Sequence, residues 1–281
     1  MKSSLHKHLL IALLLTLPIT TFAKSKEKED STYCPLHTAL EFNLGGGAWK
    51  DKYLSYMTYD GVDFSVGVEM MRARKGDSKW VQQHQLRYMY NSGSINISGM
   101  GSSKVHMFNY TFGYMHHQTI APKLRLYYGF DINALTGMIN NAHGGNNPTT
   151  YKVNISAGFT GMAVYDFHLG KRPITARYQM SLPVFAMFNQ AKQGYSHDLT
   201  SGWHLTTWDG QFNMRNRLLF DIHFNTWALR LGYNNDIMTN YATTNYFQYV
   251  SHSLVVGFAG DLMRWNENNM NKKIKPALYI Y

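Results

Sequence analysis

The sequence predicts an all-β fold, a transmembrane antiparallel up-and-down β-barrel of about ten strands. Three observations predict it: an export signal, strands that alternate between apolar and polar residues, and connectors that alternate between long and short. In residues 124–134 every even position is apolar, whereas the odd positions are mostly polar or small. Successive side chains of a strand point to opposite faces, so this segment has one apolar face. A barrel in a membrane turns such faces toward lipid.

The first 23 residues have the pattern of a secretory signal peptide. Two lysines precede an apolar core at residues 9–17, and small residues that end at Ala23 provide a cleavage site. The core is too short to cross a bilayer as a helix. Residues 24–35 are then a periplasmic N-terminal segment, and Cys34 lies too far from the core to anchor a lipoprotein.

The overall composition is mild, as expected for a barrel that hides its apolar residues in alternation. Hydrophobic residues are 44% and aromatic residues 15%, and the aromatic share suits girdles at the two membrane interfaces. The net charge of +10 is spread over turns and the tail, so no nucleic-acid partner is expected. The expected partners are outer-membrane lipid and the barrel assembly machinery, and no cofactor is expected.

Ten strands account for residues 36–262, the predicted barrel domain. They are placed at residues 36–48, 61–73, 79–91, 104–116, 123–135, 151–167, 173–188, 214–224, 226–234 and 246–262. Connectors after the odd-numbered strands are predicted to be long, and those after the even-numbered strands short. This arrangement puts both termini at the short-turn end, as in bacterial outer-membrane barrels. Residues 263–281 are predicted to be a periplasmic tail, with a closing strand as the alternative.

The charged residues within the strands share the face opposite the apolar one, and this predicts a charged lumen. The seven acidic and seven basic side chains are Glu41, Asp63, Glu69, Arg87, Arg125, Asp131, Lys152, Asp166, Arg177, Arg215, Arg217, Asp221, Arg230 and Asp261. A lumen of about ten strands is only slightly wider than one filled by its own side chains. The favoured interpretation is an ion-paired plug, and the alternative is a narrow polar pathway or a small-ligand pocket at the extracellular mouth.

The longest predicted loop, residues 189–213, holds the candidate ligand-binding residues. They are Tyr195, His197, Trp203, His204 and Trp208. Aromatic rings among hydrogen-bonding neighbours suit a sugar or a peptide, but such rings also pack a loop over a barrel mouth. Both interpretations remain open.

Catalytic and metal-binding patterns are weak, and no such residues are assigned. Ser251, His252 and Ser253 are adjacent in a strand, so the hydroxyls face the lumen and the imidazole faces lipid. His84 and His106 also fall on the outward face. Cys34 has no partner at ligand spacing.

Two segments resemble an uncharacterised outer-membrane barrel family of Bacteroidota. Residues 53–61, YLSYMTYDG, resemble that family's Y-L-S-P-L-x-Y-x-G segment, and residues 183–196, PVFAMFNQAKQGYS, match its second motif at Pro183, Gly194 and Ser196. The resemblance implies a barrel and an envelope location, and it carries no activity. The sequence thus predicts a small binding or transport barrel, or a structural envelope component, in the outer membrane. The alternative is a lipid-modifying enzyme of that membrane.

Overall fold

The computed structural model describes residues 36–73, 79–94, 101–141, 148–190, 199, 202–224, 227–242 and 245–261. Eleven β-strands lie in these residues, and no α-helix does. They are β1 (Leu36–Asp51), β2 (Tyr59–Ala73), β3 (Trp80–Ser94), β4 (Ser102–Ala121), β5 (Leu124–Asn141), β6 (Thr149–Leu169), β7 (Arg172–Asn189), β8 (Trp203–Thr206), β9 (Gln211–His223), β10 (Trp227–Ala242) and β11 (Asn245–Asp261). Within the same residues, no helix is long and apolar enough to cross a membrane.

Ten of the described strands form a closed antiparallel ring. Each strand from β1 to β7 pairs with the next, β7 pairs with β9, and β9, β10 and β11 follow in order. The ring closes where β1 pairs with β11, from His37 opposite Asp261 to Asp51 opposite Phe247. β8 is a short extra strand on β7. The fold class and the ten-stranded barrel predicted from the sequence are therefore confirmed.

The two ends of the barrel differ in their connectors. Leu36 and Asp261 lie together at one end, which we call the terminal end. Residues 52–58 and 190–210 connect strands at the opposite end, which we call the loop end. At the terminal end, β6 and β7 are joined by two residues, 170–171.

The predicted long connector after the ninth barrel strand is wrong. β10 continues to Ala242 and β11 begins at Asn245, so two residues join them. The sequence prediction ended this strand at Asn234 and left Asn235 in the connector. In the structure, the side-chain amide of Asn235 donates a hydrogen bond to the carbonyl of Ser251, 3.0 Å away. This bond satisfies the polar group on the outer wall, so the strand can continue.

The wall of the barrel has an apolar outer face and a polar inner face. Burial alternates residue by residue along the strands. The outward-facing side chains that are exposed in the isolated chain include Leu44, Phe64, Leu86, Phe108, Phe130, Ile155, Leu218, Leu254, Val256 and Phe258. The apolar outer face that the sequence alternation predicts is therefore present.

The wall is incomplete between β7 and β9 at the loop end. β7 and β9 share eight register pairs, from Ile174 with Ile222 to Ser181 with Arg215, whereas the other seams of the ring share at least thirteen. Above Ser181, β7 pairs with β9 no further. We call this gap, between residues 182–185 of β7 and 211–214 of β9, the split.

Pro183 and a β-bulge explain the split. Proline has no N–H to donate to a neighbouring strand, and the register between β6 and β7 shifts at this point, with Val184 left between the pairs of Gly158 and Ala157. Such a bulge bends its strand. β6 approaches the bend so closely that a Cβ at Gly158 would lie 2.3 Å from the Cα of Pro183, which only glycine can avoid.

Candidate functional site

The lumen near the terminal end is filled by three arginines and three carboxylates. Arg230 is fully buried, and its guanidinium donates to Asp221 at 2.7 and 2.8 Å, to Glu41 at 2.6 Å and to Glu69 at 2.6 Å. Arg217 lies 2.6 Å from Glu41 and 3.4 Å from Glu69. The six charges balance, and the short bonds compensate for their removal from water.

One ion pair of this cluster crosses the whole barrel. Arg177 on β7 donates to Glu69 on β2 over 2.5 Å, and in a ring of ten strands β2 and β7 are opposite each other. Gln83 and Gln179 exchange hydrogen bonds of 3.0 and 2.7 Å in the same region. Side chains from opposite walls therefore meet, and they close the lumen at this level.

A second charged layer lies toward the middle of the barrel and is centred on Asp236. Its carboxylate accepts from Arg87 at 2.6 Å and from Arg215 at 2.9 Å. Arg215 also donates to the side-chain oxygen of Asn109 at 2.9 Å and to that of Thr111 at 3.2 Å, both on β4. This layer ties β3, β4, β9 and β10 together across the lumen.

The loop end of the lumen is closed by an apolar cluster and one ion pair. Trp49, Tyr59, Met107, Ile139 and Phe247 belong to a buried cluster of nine side chains. Beside it, the Lys152 ammonium on β6 lies 2.8 Å from the Asp51 carboxylate on the opposite strand β1.

The structure places all fourteen predicted lumen charges on the inner face of the wall. Eleven of them have an ion pair to another described residue: Glu41, Glu69, Arg87, Arg125, Lys152, Asp166, Arg177, Arg215, Arg217, Asp221 and Arg230. Asp63 instead accepts a hydrogen bond from the Tyr249 hydroxyl, and Asp131 accepts one from Ser181. Asp261 accepts one from the backbone N–H of Leu36 at 3.1 Å.

Among the residues that the structure describes, sequence reasoning missed two buried lumen charges, Asp51 and Asp236. Both lie beyond the predicted ends of their strands, at 48 and 234, so the alternation was not extended to them. Extending it in steps of two from Glu41 and Arg230 along the same face would have reached both residues.

Between the middle charged layer and the apolar cluster lies a cavity of about 40 Å³. At roughly 10–15 Å³ per water molecule, it has room for about three. Its polar lining consists of Asn109, Asn133, Lys152, Asn154, Ser156, Ser181, Asn189, Asn213, Arg215, Asp236 and Asn240. Pro183 and Met214, from the two edges of the split, also line it, so the cavity lies directly behind the split.

Several buried polar atoms around this cavity have no hydrogen-bond partner. They are Oδ1 of Asn154 and Oγ of Ser156 in the cavity lining, and Oε1 of Gln211, whose side-chain amide donates to the Pro183 carbonyl at 3.5 Å. Buried polar groups normally have partners. The atoms lie where a bound molecule could hydrogen-bond them, and a small polar ligand therefore fits the cavity.

The long-loop candidates are only partly brought together. Tyr195 and His197 lie outside the described residues. Trp203 and His204 belong to β8, where the Trp203 indole donates to the Leu199 carbonyl at 3.0 Å and the His204 ring lies 5.5 Å from that of Phe188. The His204 ring therefore packs against β7, whereas the Trp203 indole bonds within the loop.

Trp208 has a more specific position, on the split itself. Its indole N–H donates to the carbonyl of Pro183 at 2.7 Å. Asp209 holds the turn: its carboxylate accepts from the hydroxyls of Thr207 at 2.8 Å and Thr206 at 3.1 Å. These hydrogen bonds lower the pKa of Asp209, and the bond from the Thr207 hydroxyl has the largest effect. We call residues 203–210, which carry β8 and this turn, the strap.

Histidines on the outer wall are bonded to tyrosines. The ring of His84 lies 2.8 Å from the hydroxyl of Tyr110, and that of His106 lies 2.8 Å from the hydroxyl of Tyr88. Within the described residues, the histidine side-chain bonds go to tyrosine, threonine or asparagine. The Ser–His contact that a hydrolase would need is not among them. No group of His, Cys, Asp or Glu in the same residues is placed to hold a metal ion.

The fold and the lumen together define an all-β, closed ten-stranded barrel with an apolar outer wall and an ion-paired interior. The chain belongs to the family described as "Protein of unknown function (DUF3316)", whose model matches residues 8–269. Comparison with curated proteins gives no match.

Among solved structures, the chain is similar to the translocator domain of the autotransporter NalP from Neisseria meningitidis, with 12% identity, a TM-score of 0.38, and coverage of 92% of this chain and 97% of that one. It is also similar to the β domain of the Bordetella autotransporter BrkA, with 13% identity, a TM-score of 0.41, and coverage of 81% and 99%. The outer membrane protease OmpT from Escherichia coli has 5% identity, a TM-score of 0.42, and coverage of 85% and 99%. Scores of this size do not indicate a shared function.

Proposed function

We propose that this protein is an integral outer-membrane barrel that binds a small polar ligand in the outer half of a closed lumen. The terminal end, with its short turns, faces the periplasm, and the loop end faces the exterior. The apolar outer wall supports the membrane location, as does the signal-like N-terminal segment. The resemblance of residues 53–61 further supports an origin in Bacteroidota.

The observation that carries the proposal is the cavity behind the split. It is lined by amides and hydroxyls, some of them unpartnered, and it lies above charged layers that close the lumen. A channel for hydrophilic solutes would need a continuous opening, which the ion pairs of opposite walls block. Retention of a small ligand, rather than passage through the lumen, therefore suits this geometry.

Native mass spectrometry of the full chain, purified from its own membranes in mild detergent, tests the proposal. The unmodified protein should retain a small molecule, and Asn154→Leu, which fills the cavity with an apolar side chain, should lose it. Asn43→Leu is the matched control, because Asn43 is equally buried but lies outside this cavity. If the unmodified protein retains nothing, or if Asn154→Leu retains as much as Asn43→Leu, the binding function is rejected and a structural envelope role takes its place.

A further inference from the structure

We propose that the split between β7 and β9 is a lateral portal, through which the uncharged polar head of a membrane amphiphile enters the cavity from the bilayer. This inference rests on the proposed ligand-binding function and adds the route and the chemical class of the ligand. Three features of the described residues support it: the geometry of the split, a polar row on the outer wall, and the charge balance of the cavity.

The split joins the cavity to the outer wall. Ser181 and Arg215, the last register pair of the seam, both line the cavity, and so do Pro183 and Met214 on either side of the gap. The edge of β7 above the gap is covered by β8, with Ala186 opposite Thr206 and Asn189 opposite Trp203. Between the last β9 pair, at Ser181, and the first β8 pair, at Ala186, residues 182–185 have no strand partner on the β9 side. In the part of the chain that the structure describes, only side chains cross here: the Pro183 carbonyl accepts from the Trp208 indole at 2.7 Å and from the Gln211 amide at 3.5 Å.

A hydrogen-bonded row of polar side chains lies on the outer wall directly below the split. The Tyr178 hydroxyl donates to Asn216 at 3.2 Å, Asn216 donates to Asn235 at 3.3 Å, and Asn235 lies 3.3 Å from a ring nitrogen of His252. The His252 ring also bonds the hydroxyl of Tyr233. The row crosses β7, β9, β10 and β11.

The position of this polar row matters because polar groups are costly on a lipid-facing wall. In the seam between β7 and β9, Asn216 is opposite Met180, one register pair below the last pair, Ser181 with Arg215. Asn235 of β10 is opposite Asn216 on its other side. Bonding among themselves makes these groups tolerable in lipid, and it also gives a ligand head a place to exchange hydrogen bonds before it enters the gap.

The charges in the cavity favour an uncharged head. Lys152 lies 2.8 Å from Asp51. Arg215 lies 2.9 Å from Asp236, which it shares with Arg87 at 2.6 Å, and the Asp131 carboxylate, bonded to Ser181 of the lining, adds a second negative charge beside the cavity. A carboxylate head would be buried without a free cation, which is costly. A primary amide or a hydroxymethyl head matches the volume of about three water molecules and can hydrogen-bond Asn154 and Ser156.

The apolar part of the ligand would remain outside the barrel. Phe185, Met187, Leu205 and Phe212 are exposed on the outer face around the split, and an alkyl chain can lie against them. Trp208 covers the gap from the strap through its bond to Pro183. Entry of a head group therefore requires the strap to lift or slide.

Photolabelling with a cross-split lock tests the portal. The probe is a dodecanamide that carries a photoreactive diazirine next to its head, added to the full chain with Cys34→Ser in lipid nanodiscs. Peptides containing Asn154 or Asn213 should be labelled. A disulfide or short bismaleimide bridge between cysteines at Leu182 and Met214, with its formation verified by thiol titration, should abolish this labelling, and reduction of the disulfide should restore it.

The control lock joins cysteines at Ala48 and Val250, which are paired in a complete seam, lie in the same row as Met214 and do not line the cavity. This lock should leave the labelling unchanged. Equal labelling of the Leu182–Met214 locked protein would overturn the portal, since the head would then enter from the loop-end mouth. In that case the cavity would still bind, so the proposed function would stand.

The class of ligand is tested with the same readout. Dodecanoate carrying the same diazirine should label the cavity less than the amide does. The Trp208→Ala variant should be labelled faster than the matched Trp203→Ala variant, because the Trp203 indole does not bond across the split. Asn216→Leu with Asn235→Leu should lower labelling by about two- to tenfold, the effect of one or two lost hydrogen bonds, whereas Thr136→Leu on the far wall should not. If native mass spectrometry detects a bound molecule but the amide never labels these peptides, the amphiphile is rejected and the proposed function is not.

Discussion

Replacing Arg230 with methionine should destabilise the barrel more than any exposed substitution. Arg230 makes four hydrogen bonds of 2.6–2.8 Å to three carboxylates, and it is fully buried. The variant keeps most of the side-chain volume but leaves two arginines against three carboxylates. Breaking a buried ion pair by removing one partner costs about 3–5 kcal/mol.

The assay is reversible unfolding in guanidinium in lipid vesicles, followed by tryptophan fluorescence and by the mobility shift of the unheated protein. The control is Arg72→Met, because Arg72 lies on the outward face at the end of β2 and should change the unfolding free energy by no more than about 0.5 kcal/mol. Adding Asp221→Asn to the Arg230 variant should recover on the order of 1–2 kcal/mol, since it removes the carboxylate left without its partner. A loss below about 1 kcal/mol for Arg230→Met would refute the reasoning.

Three further predictions follow from the fold and the strap. The mature protein should fractionate with outer membranes and run faster on a gel when unheated, and recovery in a soluble periplasmic fraction would contradict the location. Loss of residues 271–281 should leave a heat-modifiable barrel, because β1 and β11 already close the ring; failure to assemble would make the tail a closing strand. Because hydrogen bonds lower the pKa of Asp209 in the folded protein, their stabilisation is present at neutral pH and is lost as the pH falls through that lowered pKa. Acid should therefore red-shift Trp208 fluorescence, and Asp209→Ala should show the shifted spectrum at every pH; a pH-independent spectrum in the unmodified protein would exclude this role.

The inner face of the wall could be predicted from the sequence because strand periodicity is local. Glu69 and Arg230 are each flanked by apolar residues in their strands. Successive side chains of a strand point to opposite faces, so these two side chains are predicted to point inward. Which charges meet is a different matter. Arg177 bonds Glu69 across 108 positions of sequence, and that contact depends on ring size and on the register of every seam between them.

The split could be predicted only in part. Pro183 within a strand marks a place where pairing is interrupted. Its other features depend on tertiary contacts that carry no periodic signal in the sequence. They are the bulge at Val184, the pairing of β8 with β7 and the hydrogen bond from Trp208 to Pro183. The predicted strand end at Asn234 is too early: Asn235, just beyond it, accepts a hydrogen bond from Asn216 on the outer wall, so a polar outward residue there does not end the strand.

The most direct test of the closed lumen is the conductance of the purified, unmodified protein in planar bilayers. Ion pairs join opposite walls across the described lumen at two levels, Arg177 with Glu69 and Lys152 with Asp51. The account predicts no steady, porin-like current across the accessible range of voltage. A large ohmic conductance would contradict it, because the lumen would then be open and its charges would line a path.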